Sequence, residues 1–256
     1  MEFRDYQTEI INKALPLLHA HKFVYLAMEV RTGKTLTSLG ASELLPVSSL
    51  LFITKKKAIS SIEDDYKLLN PSYKITVINY ESLHKIDQRG WDMIILDEAH
   101  CMGAFPKPSK RTKQVKSLIA KNKCYVILLS GTPTPESYSQ MYHQVYAIPQ
   151  NPFRAYKSFY KFAENYVKIK TRPIGGFSVR DYSGGLEEII RKMQPYTLSY
   201  TQKEAGFKVE TKEHVLEVEM NPITYQLASK LKKDLVVEDL LGKNVKIRIK
   251  LTNIYE

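Results

Sequence analysis

Cysteine is scarce. Cys101 and Cys124 are the only two in 256 residues, and they lack the spacing of a metal site or a disulfide framework. Each lies beside or within an apolar strand, so small buried thiols are expected. His19, His21, His84, His143 and His214 likewise form no ligand spacing. No apolar run approaches the length of a membrane span, which predicts no membrane partner. The N-terminus, Met1-Glu2-Phe3-Arg4-Asp5, lacks the basic and then apolar order of a signal peptide, so a cytoplasmic protein is expected. Internal repeats and low-complexity tracts are missing too. Acidic residues are in deficit, 27 Asp and Glu against 38 Lys and Arg, for a formal net charge of +11. That balance favours a polyanionic partner, of which nucleic acid is the commonest.

What is present centres on Met28-Glu29-Val30-Arg31-Thr32-Gly33-Lys34-Thr35. It follows an apolar run, Phe23 to Ala27, and precedes an amphipathic segment, Leu36 to Leu45. A strand, a tight loop ending Gly-Lys-Thr and a helix make a phosphate cradle. Gly33 lets the backbone pass close to phosphate oxygens, and amides at the helix start supply donors. Lys34 can reach the β- and γ-phosphates of ATP, and the Thr35 hydroxyl can hold Mg²⁺. The usual first glycine of such a loop is replaced by Met28. About sixty residues on, Met93-Ile94-Ile95-Leu96-Asp97-Glu98-Ala99-His100 is an apolar strand ending in two carboxylates. Asp97 can hold the Mg²⁺ shell, and Glu98 can orient and deprotonate the attacking water.

Around these motifs strands and helices alternate. Apolar strands are expected near Phe23–Ala27, Leu50–Thr54, Lys74–Asn79, Trp91–Leu96 and Cys124–Leu129, with helices between them. This pattern predicts an α/β fold, a parallel sheet with helices on both faces. Ligands of such sheets collect at the carboxyl ends of the strands. The phosphate loop, Thr54-Lys55-Lys56, Asn79-Tyr80-Glu81, Asp97-Glu98 and Ser130-Gly131-Thr132 all fall there. Before them, residues Asp5 to Ala20 read as a helix that Pro16 should bend or interrupt. Ahead of its body stands Gln7, whose amide can give and take a hydrogen bond as an adenine edge requires.

After about Tyr146 the alternation breaks down. The aromatic run Phe153, Tyr156, Phe159, Tyr160, Phe162 and Tyr166 suggests helices packing on the sheet, and glycine pairs bracket a hairpin or loop at Phe177–Tyr182. Val215–Glu219 reads as a half-exposed strand, and a helix is expected after Pro222. Three parts result: a nucleotide-binding lobe at 1–148, a helical and irregular extension at 149–220, and an exit segment at 221–256.

With these residues in place, the chain resembles the superfamily-two helicase and translocase ATPases, and among them the Swi/Snf-like branch. Phe3-Arg4-Asp5-Tyr6-Gln7 is similar to that branch's adenine-binding motif, and Glu29 to Thr35 to its phosphate loop. Asp97-Glu98-Ala99-His100 is its DEAH box, and Asn79-Tyr80-Glu81 resembles the turn that precedes it. Leu128 to Pro133 resembles the motif that couples ATP to nucleic acid, and Pro195 to Glu204 the segment leaving the first lobe. The resemblance implies a RecA-like lobe that binds ATP and Mg²⁺ through Arg4, Gln7, Arg31, Thr32, Gly33, Lys34, Thr35 and Asp97. It implies coupling through His100, Ser130 and Thr132, and contact with double-stranded DNA through Thr54, Lys55, Lys56, Tyr80, Lys110 and Arg111. Arg31 and Thr32 stand where many relatives carry Gly and an apolar residue. Ser199-Tyr200 stands where the exit segment usually has paired arginines.

Nothing after Met220 resembles second-lobe motifs, so the chain is expected to be the N-terminal lobe alone, a monomer whose partner is a second RecA-like lobe. A stabilising arginine from such a lobe is worth roughly 10³ to 10⁵ in rate in related phosphoryl-transfer enzymes. Slow hydrolysis by the isolated chain is therefore expected. Its lack of long insertions suits a prokaryotic or phage origin. Two other functions stay open at this point. One is an RNA-directed motor of the same superfamily, and the other a non-catalytic module with a degenerate phosphate loop that binds nucleic acid or protein.

Overall fold

The computed structural model describes residues 2–174 and 177–206, together with two short strands, Val237–Glu238 and Asn244–Val245, which pair antiparallel. The expected strand at Val215–Glu219 and the helix after Pro222 lie outside the described residues. Met1–Lys208 forms one compact unit.

That unit opens with helix α1 (Asp5–His21), followed by strand β1 (Phe23–Met28), helix α2 (Lys34–Glu43) and strand β2 (Ser49–Thr54). Helix α3 (Ile59–Leu69), strands β3 (Lys74–Asn79) and β4 (Met93–Leu96), helix α4 (Lys110–Asn122) and strand β5 (Tyr125–Leu129) continue the alternation. Then come α5 (Met141–Val145), α6 (Phe159–Tyr166), the hairpin β6 (Lys170–Ile174) and β7 (Phe177–Asp181), α7 (Glu188–Met193) and β8 (Thr197–Tyr200). The main sheet has six strands in the order β3-β2-β4-β5-β1-β8, and every pairing in it is parallel.

Strand periodicity explains how this sheet fills two cores. Successive side chains point to opposite faces. Val24, Leu26, Leu50, Phe52, Ile95 and Ile127 face α1, α2 and α3, where they meet Ile11, Leu18, Leu39 and Ile62. Phe23, Tyr25, Leu51, Ile53, Ile94 and Leu128 face the other way, onto α4, α5, α6 and α7. Burying one such side chain stabilises the fold by about 1.5–3 kcal/mol, so neither face tolerates a one-residue slip in register.

Four details depart from the sequence expectation. Helix α1 runs through Pro16 without a break. Ala14 and Leu18 are fully buried on either side of it, and their packing offsets the hydrogen bond that proline cannot donate. The sheet has a sixth strand, β8, added beside β1; four residues just after Pro195 carry too short a pattern to mark a strand. In the aromatic run, only Phe159–Tyr166 is helical. Its rings pack inward, Phe153, Phe159 and Phe162 being buried. The hairpin is larger than the bracketed segment, because its first strand starts at Lys170, ahead of the glycine pair.

Candidate functional site

Parallel pairing places the carboxyl ends of β1, β2, β4 and β5 along one edge of the sheet. The loop after β1 begins at Glu29, and α2 starts at Lys34 with Gly33 as its N-cap. Gly33 sits at φ 75°, a left-handed backbone angle, and a Cβ there would run into the Gln7 amide. Only glycine fits both demands. Arg31 is also left-handed, at φ 66°, which strains a residue carrying a Cβ. The Thr32 side chain turns inward, fully buried, and its hydroxyl donates to the Glu29 carbonyl at 2.7 Å. Any contact of Thr32 with phosphate is thereby left to its backbone.

Lys34 donates to the Glu29 carbonyl at 3.2 Å. Burial lowers its pKa, while the charges of Asp97, Glu98 and Glu29 act in the opposite sense. Asp97 in turn feels Lys34, so this lysine and the acidic strand tip share one field. Desolvation raises the Asp97 pKa, and the Thr54 hydroxyl, donating at 2.6 Å to its carboxylate, opposes the rise. A half-buried carboxylate raised by desolvation fits a divalent cation, which would favour its charged form. Asp97 and the half-buried Thr35 hydroxyl are hard oxygen donors of the kind Mg²⁺ takes. Among the described residues no cluster of three His, Cys, Asp or Glu side chains converges. An ion here would therefore draw its other ligands from phosphate and water.

Glu98 adopts φ 51°, so the chain turns sharply after β4 and leaves its carboxylate between Lys55 and His100. Lys55 Nζ lies 3.7 Å from one oxygen, and His100 Nδ1 lies 3.4 Å from the other. The same His100 nitrogen is 2.9 Å from Ser130 Oγ, and Ser130 Oγ accepts from the Thr132 amide at 3.1 Å. Burial lowers the His100 pKa, with Glu98 pulling the other way. The three residues expected to couple sites, His100, Ser130 and Thr132, thus form one hydrogen-bonded chain at the end of β5, with Glu98 close to its first member.

The expected nucleic-acid residues divide. Lys56 and Lys110 are exposed, while Lys55 lies beside Glu98. Thr54 and Tyr80 do not face solvent, at 0% and 1% exposure, so their side chains are not available to a strand. The sequence expectation is corrected there: both sit behind the site and hold Asp97. Tyr80 donates its hydroxyl to the Asp97 carbonyl at 2.6 Å. Arg111 caps the Tyr80 ring at 5.1 Å and pairs with Glu81 at 2.5 Å. Its guanidinium is already engaged within the protein. Cys124 is buried, as expected, whereas Cys101 is only partly covered.

Gln7 is buried, and both ends of its amide are taken up. Its oxygen accepts from the Arg4 backbone amide at 3.0 Å, and its nitrogen donates to the Gly33 carbonyl at 3.4 Å. Exposed Arg4 reaches the Tyr6 hydroxyl at 3.2 Å. Sequence reasoning missed what closes this corner. Tyr6 stacks on Tyr200 with ring centroids 4.5 Å apart and 13° between planes, and its hydroxyl donates to the Thr32 carbonyl. Gln202 gives its amide to the Glu29 carboxylate and its side chain to the Val30 carbonyl, both at 2.8 Å. These partners are some 170 residues apart in the chain, and no local pattern announces them.

The family model for the SNF2-related domain matches residues 19–250. In structure the chain is similar to a Sulfolobus solfataricus SWI2/SNF2 ATPase core in complex with dsDNA, at TM-score 0.60 and 20% identity, over 80% of this chain and 46% of that one. It is also similar to the Sulfolobus solfataricus SWI2/SNF2 ATPase core domain, at TM-score 0.59 and 20% identity, over 79% of this chain and 44% of that one. The chain therefore spans less than half the length of either core. No curated protein sequence matches it. At this identity the structural likeness speaks for the fold, a RecA-like parallel sheet wrapped by helices.

Proposed function

The chain belongs to the SNF2-related domain family, and from that membership we propose that it is the ATP-binding lobe of a Swi/Snf-like ATPase directed by double-stranded DNA. The observation that carries the proposal is the placement of Lys34, at the start of α2 after β1, and of Asp97, directly after β4, at the carboxyl edge of one parallel sheet, where each feels the other's charge. Lys34 and the backbone amides at the start of α2 bind and orient the triphosphate. Mg²⁺, held by Thr35 and Asp97, would supply charge neutralisation for the phosphates. Glu98 takes the proton of the attacking water, positioned for it by Lys55 and His100. The neutral His100 then passes the state of that carboxylate to Ser130 and Thr132. Tyr6, Gln7 and Arg4 form the corner where the adenine would lie.

A second RecA-like lobe is part of the proposal, supported by the length of the matched cores, of which this chain spans 46% and 44%. Duplex DNA as partner is supported by the net charge of +11 and by the complex in which one of those cores was solved. Titrating the chain with a non-hydrolysable ATP analogue and Mg²⁺ tests the nucleotide half; saturable binding that Lys34→Ala removes is expected. ATPase stimulation of the two-lobed protein by duplex DNA and by RNA tests the rest. Stimulation by RNA alone would transfer the lobe to an RNA-directed motor. Absence of any saturable nucleotide binding would make it a non-catalytic module.

A further inference from the structure

Away from the nucleotide edge, the positive charge is concentrated in one part of the chain. Residues 99–163 contain ten lysines and arginines against a single acid, Glu136, so most of the net +11 arises there. Structure gathers several of these charges. Lys110, Lys113 and Lys116 recur every third residue along α4, a row with a rise of roughly 4.5 Å between members. Where that row ends, a cavity of about 520 Å³ opens between α4 and the segment after α5. Lys116, Arg154 and Lys157 line it with Ser117 and Tyr146, and no carboxylate does. Among the described residues, neither Arg154 nor Lys157 has an acidic partner for its side chain.

Lys116 is also held in place. Its ammonium lies 4.0 Å from the centroid of the Tyr146 ring and 2.8 Å from His143 Nδ1. His143 Nε2 faces the Pro106 carbonyl at 3.0 Å, which makes Nε2 the protonated nitrogen and leaves Nδ1 to accept from Lys116. Burial brings the Lys116 pKa down to about 8, the response of a cation with no anion beside it. A fixed ammonium, two further cations and a concave surface suit phosphate oxygens. The row on α4 that leads into the cavity favours a linear polyanion over an isolated small anion.

We propose that the cavity lined by Lys116, Arg154 and Lys157 is a phosphate subsite for the backbone of duplex DNA, reached along the α4 lysine row and separate from the strand-end lysines Lys55 and Lys56. It rests on the reading that the lobe binds duplex DNA, and it names where one part of that duplex lies.

The test measures binding of a short fluorescein-labelled duplex to the full chain across a range of salt. It compares wild type with the Lys116→Gln/Arg154→Gln/Lys157→Gln variant. Each lost phosphate contact lowers the salt slope by about 1, so the triple variant should lose about 2–3 from the slope and roughly 10-fold or more in low-salt affinity. ATP-analogue binding should be unchanged. In parallel, the duplex should protect Lys116 and Lys157 from acetylation read by mass spectrometry. If the triple variant folds poorly, the Arg154→Gln/Lys157→Gln pair, both exposed, should still lose about 1–2 from the slope. Wild-type binding with no change in slope and no protection overturns the subsite and leaves the DNA-directed reading standing. Failure of the wild type to bind duplex overturns both. Protection by polyglutamate and not by duplex would assign the cavity to an acidic protein segment and likewise overturn the proposal.

Discussion

Two groups of lysines in this molecule live under opposite conditions. At the nucleotide edge, Lys34 and Lys55 each sit with acids: Lys34 in the field of Asp97, Glu98 and Glu29, Lys55 against Glu98. On the α4 flank, Lys116 has a histidine and a tyrosine ring for company, and the cavity beside it holds no carboxylate. Paired cations keep a site organised before its ligand arrives and can exchange partners when it does. Unpaired cations are attracted to anions but have nothing to hand on. The first arrangement suits a site that cycles between chemical states, and the second suits a surface that grips.

Replacing Lys34 and, separately, the acid that lies against Lys55 should give the largest effect. Lys34→Ala removes the phosphate anchor and should weaken ATP-analogue binding on the order of 100-fold, as loss of a charge-assisted contact worth about 2–3 kcal/mol implies. Glu98→Gln keeps the shape of the site and should leave that binding within about 2-fold. In the two-lobed protein it should lower hydrolysis by roughly 10² to 10⁴, the usual worth of a positioned base. Equal losses of binding in both variants, measured by calorimetry, would break the distinction between anchor and base.

The flank should reveal itself through acid. Burial lowers the His143 pKa to about 4 from an ordinary 6.5, with the Lys116 charge acting in the same direction. The unfolded chain therefore takes up a proton below about 6.5 that the folded chain refuses. Stability should fall as pH drops from 6.5 towards 4, by about 3 kcal/mol from this group. His143→Phe, which keeps the ring against Phe159, should flatten that limb of the pH profile in urea titrations. An unaltered acid limb would show that Lys116 and His143 are not so confined.

Tyr80 lies beneath Arg111 and behind Asp97. Tyr80→Phe removes one buried hydrogen bond and should cost about 1–2 kcal/mol of stability. The Mg²⁺ dependence of ATP-analogue binding should move to higher concentration. Unchanged Mg²⁺ dependence alongside lowered stability would reduce Tyr80 to a core residue. Smallest is Tyr200→Ala, which opens the stack on Tyr6; loss of that pair is worth about 1 kcal/mol and should loosen nucleotide binding by several-fold. Gln202→Ala, tested beside it, shows whether the stack or the hydrogen bonds to Glu29 and Val30 hold the loop.

Much of the site could be read from residue order. Gly33, Lys34 and Thr35 after one apolar run, and Asp97 and Glu98 after another, already imply a phosphate grip, because a parallel sheet collects strand ends on one side. Thr54 and Tyr80 were legible as residues of that edge but not as supports. Thr54 ends an apolar strand and Tyr80 follows one, as Lys55 does, and only packing decides which side chain turns inward. The corner formed by Tyr6, Tyr200 and Gln202 was not legible at all, since it needs a sixth strand laid beside the first.

By itself, then, the sequence determined the architecture, short apolar strands stacked in parallel between two helical layers, and it supplies the proposal for which groups hold phosphate and metal. These follow from local rules, backbone freedom at glycine, the two-residue period of strands and the needs of a charged ligand. Tertiary structure decided which polar residues became buried struts, what closed the loop from a distant segment, and where lysines were left without acids. Burial and pairing across long stretches of chain depend on how layers meet, and no window of sequence contains that.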